Sequence, residues 1–130
     1  MKDPFKTNGA VSWTELCTND PEKAKKFYGD LFGWKYEEMP MPTGEGTYNV
    51  ITAGGITFGG IMKTPEKYKE MPPMWGSYVT VEDVEKTAKK VVELGGKILT
   101  PPTDIPGTGS FICIQDPTGA IIMAITYEKM

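Results

Sequence analysis

Two stretches of this chain, offset by about 61 to 64 residues, carry the same order of elements, and this duplication constrains the fold more than any single motif. Val11-Ser-Trp-Thr-Glu-Leu-Cys17 and Gly76-Ser-Tyr-Val-Thr-Val81 are short alternating runs of the kind that form half-buried strands. Each leads into an acidic helix start: Asp20 stands before Pro21 and Glu22, and Asp83 stands before Val84 and Glu85. The spacing predicts two helices with apolar stripes, Ala24, Phe27, Tyr28 and Leu31 in the first and Val84, Ala88, Val91 and Val92 in the second. Lys25-Lys26 and Lys89-Lys90 fall between those positions as solvated faces, and Gly33 and Gly95-Gly96 supply left-handed caps that return the chain to strand.

The parallel continues through proline-rich turns, Pro40 to Gly44 and Pro101 to Gly107. Two strands follow each turn: Gly46 to Thr52 and Ile56 to Met62 in the first half, Gly109 to Gln115 and Ala120 to Thr126 in the second. With the segments around Lys35 and Ile98 counted, each half reads βαβββ. Module one covers about 8–63, a charged, proline-bracketed linker with room for one helical turn covers 64–73, and module two covers about 74–128, within one domain of 1–130. Neither half buries both faces of so small a sheet alone. The expected fold is α+β, with two tandem βαβββ modules forming a cup-shaped, partly open eight-stranded sheet whose concave face is the natural place for a ligand.

Composition narrows the chemistry of that face. Seventeen acidic residues oppose fourteen basic ones, all lysine, for a formal charge of −3 with no histidine and no arginine. Without imidazole there is no Ser-His-Asp or Cys-His couple and no His-ligated zinc; without guanidinium there is no bidentate anion clamp. The acidic balance excludes a nucleic-acid footprint, and no apolar run reaches the roughly 20 residues of a membrane span. The opening Met-Lys-Asp-Pro-Phe-Lys has no apolar leader stretch, so a cytoplasmic location is expected, with Cys17 and Cys113 as free buried thiols.

Asp20-Pro-Glu-Lys-Ala-Lys-Lys-Phe-Tyr-Gly-Asp-Leu-Phe-Gly-Trp34, Val81-Glu-Asp-Val84 and Asp116-Pro-Thr-Gly119, in that order and in a duplicated frame, resemble the vicinal oxygen chelate superfamily, the glyoxalase, bleomycin-resistance and extradiol-dioxygenase group. The resemblance runs from about Val11 to Tyr127. Gly95-Gly96-Lys97 and Pro101-Pro102-Thr103 further resemble its small glyoxalase-like branch. The resemblance implies paired βαβββ modules and a homodimer. In the family's metal enzymes it also implies four inner-face ligands, which here fall at Trp13, approximately Gly59, the Trp75-Gly76 boundary and Met123. None is a histidine or carboxylate, so no metal and no other cofactor is expected.

If Trp13 faces inward, period-two alternation brings Glu15 and Cys17 inward and turns Leu16 toward the helix. The same logic admits two sets on each later strand, of which Tyr48, Cys113 and Gln115 are taken as inward. With Trp75, Tyr78 and Met123 they would line a cavity suited to a small apolar or aromatic molecule. Glu15, a carboxylate on an apolar face, is the candidate catalytic base. Asp116 is expected to brace its turn, Trp34 to pack, and Glu45 to lie on an exposed loop. Two classes of function follow: a binding protein that holds its ligand without converting it, or a metal-independent isomerase or lyase. Metal-dependent lyase or dioxygenase chemistry through shifted ligands is a third, weaker alternative.

Overall fold

A computed structural model describes residues 3–41 and 46–128; Glu45 lies outside them. The fold is α+β, with eight strands of mixed direction and two α-helices. The chain divides into two compact units. One is Trp13–Gly76, and the other joins Ser77 onward to the segment before Trp13.

In the first unit, β1 (Val11–Thr18) is followed by α1 (Pro21–Phe32), β2 (Lys35–Pro40), β3 (Thr47–Ala53), β4 (Ile56–Lys63) and a single 3-10 turn at Glu66–Tyr68. The strand order is β2-β3-β4-β1, antiparallel except for the parallel β4–β1 pair. Asp20 caps α1 by accepting the Lys23 amide at 3.1 Å, and Gly33 ends it at φ 76°. The core is Leu16, Ile51 and Ile61, closed by Ala24 and Tyr28 of α1 and by Trp34. Each of those three aliphatic side chains stabilises the unit by about 1.5–3 kcal/mol.

The predicted α1 stripe holds only in part: Phe27 and Leu31 are 58% and 57% exposed. A register shift opposite Ile51 and Thr52 leaves Phe58 as an extra residue in β4, and its ring sits 5.1 Å from that of Trp34.

In the second unit, β5 (Met74–Thr80, the unit's share beginning at Ser77), α2 (Val84–Glu93), β6 (Lys97–Ile105), β7 (Gly109–Gln115) and β8 (Ile121–Tyr127) give the order β5-β8-β7-β6, with β5–β8 parallel. Val84, Ile112 and Ala124 form the core, with Ala88 and Ile98 against it, while Val92 is exposed. Gly95 and Gly96 donate to the carbonyls of Val92 and Val91, the paired bonds that close a helix through a left-handed glycine.

The second proline-rich stretch differs from expectation, and residues 42–44 of the first lie outside the described residues. β6 runs through Pro101 and Pro102 rather than turning there, and β2 includes Pro40. Each is the outermost strand of its unit's order, where a missing N–H costs no ladder bond, and two register shifts in β6 absorb the prolines.

The segment before Trp13 is stitched onto this second unit. The Gly9 and Thr80 amides donate to Thr80 and Ala10 carbonyls at 2.7 and 2.8 Å. Thr80 Oγ1 donates to the Pro4 carbonyl and lies 2.8 Å from Ser12 Oγ, itself 2.7 Å from Tyr127 Oη. No helix among the described residues is long and apolar enough to cross a membrane.

Candidate functional site

Alternation on β1 buries Leu16 in the core and turns Trp13, Glu15 and Cys17, all half-buried, to the opposite face. On β3 the same rule buries Asn49 and Ile51 and turns Tyr48 to the face that carries Glu15. Register then sets Glu15 of β1 beside Gly60 of β4, with Val50 of β3 beyond it. Gly60 is what lets Tyr48 cross the sheet: a Cβ at position 60 would overlap Cε1, Cζ and Oη of the Tyr48 ring. The phenol thus lies over the glycine. Its hydroxyl accepts from Trp13 Nε1 at 2.8 Å and donates to Glu15 Oε1 at 2.8 Å.

The chemistry of the side chains fixes the direction of this relay. Indole nitrogen only donates, so the Tyr48 oxygen accepts from it and the Tyr48 O–H is left to donate its hydrogen bond to Glu15. Burial and then the charge of Glu15 push the Cys17 thiol up to about 12. Tyr48 is raised further, first by burial and next by Glu15, with the bond from Trp13 acting the other way. Near neutrality the thiol and the phenol both keep their protons, and Cys17 is no nucleophile.

Tyr78, Cys113 and Met123 come together on a second surface, in the other unit. Tyr78 and Cys113 flank Met123 in register, and Phe111, two residues before Cys113 on β7, adds a ring 6.3 Å from that of Tyr78. Burial raises the Cys113 thiol. Gln115 Nε2 donates to the Gly119 carbonyl at 3.1 Å and braces the turn. Asp116 Oδ1 accepts from the Thr118 hydroxyl and from the amides of Thr118 and Ala120, bonds that hold its carboxyl below the usual range.

Trp75 belongs to neither surface. It packs in the α1-side core, donating Nε1 to Tyr28 Oη at 3.1 Å with its ring 5.9 Å from Trp34. Trp34 itself is packed among Tyr28, Phe32, Phe58 and Trp75. Two open hollows of about 400 and 330 Å³, one beside Ser110 and Tyr127 and the other beside Thr64 and Lys69, touch none of the expected site residues.

The metal positions implied by the family resemblance do not supply a donor set. Gly59 pairs with Thr14 and Ile51 on the core side, where a Cβ would overlap the Thr14 carbonyl oxygen. The residue that faces Glu15 is Gly60, one position on, and Tyr48 fills the space a side chain there would need. Trp13 and glycine offer no ligand atom, and among the described residues no group of three or more Cys, Asp or Glu could hold an ion. The residues present do not fit a metal of this family's kind.

Helix-backed βαβββ modules with side chains converging on the opposite face define a vicinal-oxygen-chelate-type protein. The chain belongs to the Glyoxalase/Bleomycin resistance protein/Dioxygenase superfamily, whose family model matches residues 10–124. "Putative glyoxylase CFP32" of Mycobacterium bovis is 42% identical over 115 residues, covering 88% of this chain and 44% of that protein. "Anthracycline biosynthesis protein DnrV" of Streptomyces peucetius is 28% identical over 124 residues, covering 86% and 45%. The chain therefore spans less than half the length of these relatives. Among solved structures, methylmalonyl-CoA epimerase from Mycobacterium tuberculosis shares the fold with a TM-score of 0.69 at 13% identity, covering 95% of this chain and 92% of that one. Hypothetical protein BH1468 from Bacillus halodurans does so with a TM-score of 0.73 at 10% identity, covering 95% and 98%.

Proposed function

We propose that this chain is a small-molecule-binding member of the superfamily that holds an apolar or aromatic ligand against the Trp13, Glu15, Cys17 and Tyr48 face without using a metal. The observation that carries the reading is the relay from Trp13 through Tyr48 to Glu15, laid over Gly60: two aromatic walls and one oriented polar group on a half-buried surface. The second surface, Tyr78, Phe111, Cys113 and Met123, has the same aromatic and sulfur character. Titration of tryptophan fluorescence against a panel of aromatic metabolites tests the reading. Anthracyclines belong in the panel because two relatives are named for their biosynthesis. A saturable change that is lost in Trp13→Phe supports the proposal; no saturable change with any compound overturns it.

A second reading, metal-independent isomerase or lyase chemistry with Glu15 as general base, is favoured by the hydrogen bond through which Tyr48 holds the half-buried Glu15 side chain in place. Under it, Glu15→Gln abolishes turnover while ligand still binds, and unchanged turnover refutes the role. Metal-dependent chemistry through shifted ligands would need nickel or zinc to bind the purified protein with measurable affinity. The proposal takes the protein as a cytoplasmic homodimer. Light scattering after gel filtration checks the dimer, and a monomer mass refutes it.

A further inference from the structure

We propose that the outer face of α1, centred on Phe27 and Leu31, is the surface on which two copies of this chain meet, with the two α1 helices side by side and antiparallel. The inference rests on the reading of the protein as a homodimer, to which it gives an interface, and it is independent of the Trp13, Glu15 and Tyr48 face.

The first support is an apolar surplus on the helix. α1 carries Ala24, Phe27, Tyr28, Leu31 and Phe32, yet buries none of its residues, whereas α2 buries Val84. Ala24 and Tyr28 are enough to close the core over Leu16, Ile51 and Ile61, which leaves Phe27, Leu31 and Phe32 each more than half exposed. Phe27 and Leu31 stand one turn apart and form a single outward stripe. The exposed rings are held in place. Phe27 meets Tyr28 edge to face at 5.1 Å, and Phe32 stacks on Tyr28 at 6.0 Å, so little freedom is lost when a partner covers them. Together the three side chains leave roughly 300 Å² of apolar surface in water. That is the size of a functional patch on a monomer, and it suits the apolar centre of an interface that takes about 800 Å² from each partner.

Charge identifies the occupant. A two-fold interface must be complementary to itself, so a residue meets its counterpart's neighbours in reversed order. With the axis at the level of Gly29, the midpoint of Phe27 and Leu31, each Phe27 lies against the partner copy's Leu31. The same symmetry sets Lys26 of each copy beside Asp30 of the other, on one flank of the apolar stripe. Within one chain these two side chains already pair at 2.8 Å while remaining 80% and 72% exposed, so four charges of alternating sign come together when the helices meet. An antiparallel copy of the same helix therefore matches both the apolar stripe and its charged border.

Sedimentation velocity over a concentration series tests the inference in the wild-type chain, Leu31→Glu, Lys26→Asp, the double exchange of Lys26→Asp with Asp30→Lys, and Val92→Glu. Val92 is 62% exposed on α2 and controls for adding a carboxylate to an exposed apolar position. The wild-type chain should be a dimer, and Leu31→Glu should weaken it about tenfold or more, since each dimer carries the change twice. Lys26→Asp should weaken it less, the double exchange should recover most of that loss, and Val92→Glu should leave it unchanged. Urea midpoints confirm that each variant is folded; because the substituted side chains are exposed, they should move little.

A dimer that Leu31→Glu leaves intact, or one that Val92→Glu weakens as much as Leu31→Glu does, overturns the α1 assignment and leaves the homodimer standing. A double exchange no better than Lys26→Asp alone overturns the antiparallel arrangement. A wild-type chain that is monomeric throughout the series overturns both the interface and the homodimer.

Discussion

Replacing Gly60 by alanine is the sharpest perturbation of the site, because the added methyl group and the Tyr48 phenol claim the same space. Gly60 does not have a positive φ, so the backbone accepts alanine without strain. The overlapping atoms belong to the far end of a side chain, so the ring can swing away rather than force the sheet apart. Swinging away breaks the bond from Trp13, worth about 1 kcal/mol, and the charge-assisted bond to Glu15, worth about 1.5–3 kcal/mol. Against this, loss of glycine's freedom in the unfolded chain stabilises by about 0.4–1 kcal/mol. The net expectation is a loss of about 1.5–3 kcal/mol, read as a lower urea midpoint at unchanged slope.

In a Tyr48→Ala background the ring is gone, and the same substitution should become neutral or stabilising by up to about 1 kcal/mol. The indole N–H resonance of Trp13 should shift in Gly60→Ala as its acceptor leaves. A Gly60→Ala cost that is equal with and without the Tyr48 ring, or no cost in the wild-type chain, refutes the argument that Gly60 exists to seat the phenol.

Alkaline stability should report on Cys17. The folded thiol keeps its proton to about 12 while the unfolded thiol loses it near its ordinary value, so stability falls as pH rises from about 9 toward 12, and Cys17→Ala should reduce that fall in denaturation series at stepped pH. In a Cys113→Ala chain, iodoacetamide should alkylate native Cys17 slowly near pH 8. Glu15→Gln should quicken the reaction modestly, because burial, the larger cause of the raised pKa, remains. At the helix starts, Asp20→Ala and Asp83→Ala should each cost about 0.5–2 kcal/mol in urea unfolding, with Asp83 accepting two amides, those of Glu85 and Lys86. Asp116 contributes stability above the unfolded carboxyl pKa and loses it as pH falls through its lowered folded value. Asp116→Asn should therefore flatten the acid limb of the stability profile.

The residues that were legible in the sequence are those whose role is local. The caps at Asp20 and Asp83 and the glycine at 33 are set by a few neighbouring backbone groups, and the duplicated order of elements follows from them. Alternation was enough to put Trp13, Glu15 and Cys17 on one face and Leu16 on the other. The misreadings arose where the outcome depends on another strand or on the amount of core available. Helical period finds an apolar stripe but does not say how much of it the sheet can cover, and Phe27 and Leu31 lie beyond the reach of a core built on Leu16, Ile51 and Ile61. Strand period does not reveal that Phe58 is an extra residue in β4. Only the pairing of β4 with β1 and β3 separates Gly59, on the core side, from Gly60, beside Glu15.

One contradiction was already present in the sequence. Trp75 and Tyr78 are three residues apart, so a regular strand cannot present both on one face, and the structure turns Trp75 into the α1-side core. Its expected inward position came from the family's ligand pattern, which alternation within β5 did not support. Gly59-Gly60 was also an available clue, since paired glycines inside an apolar strand mark a close approach by something else. Here that is the Tyr48 ring, and Gly60, one position beyond the ligand position that the resemblance implied on β4, is the floor of a hydrogen-bond relay that ends on Glu15. A histidine or glutamate placed at position 60 would first have to displace Tyr48, so a ligand side chain beside Glu15 and the relay are mutually exclusive in this chain.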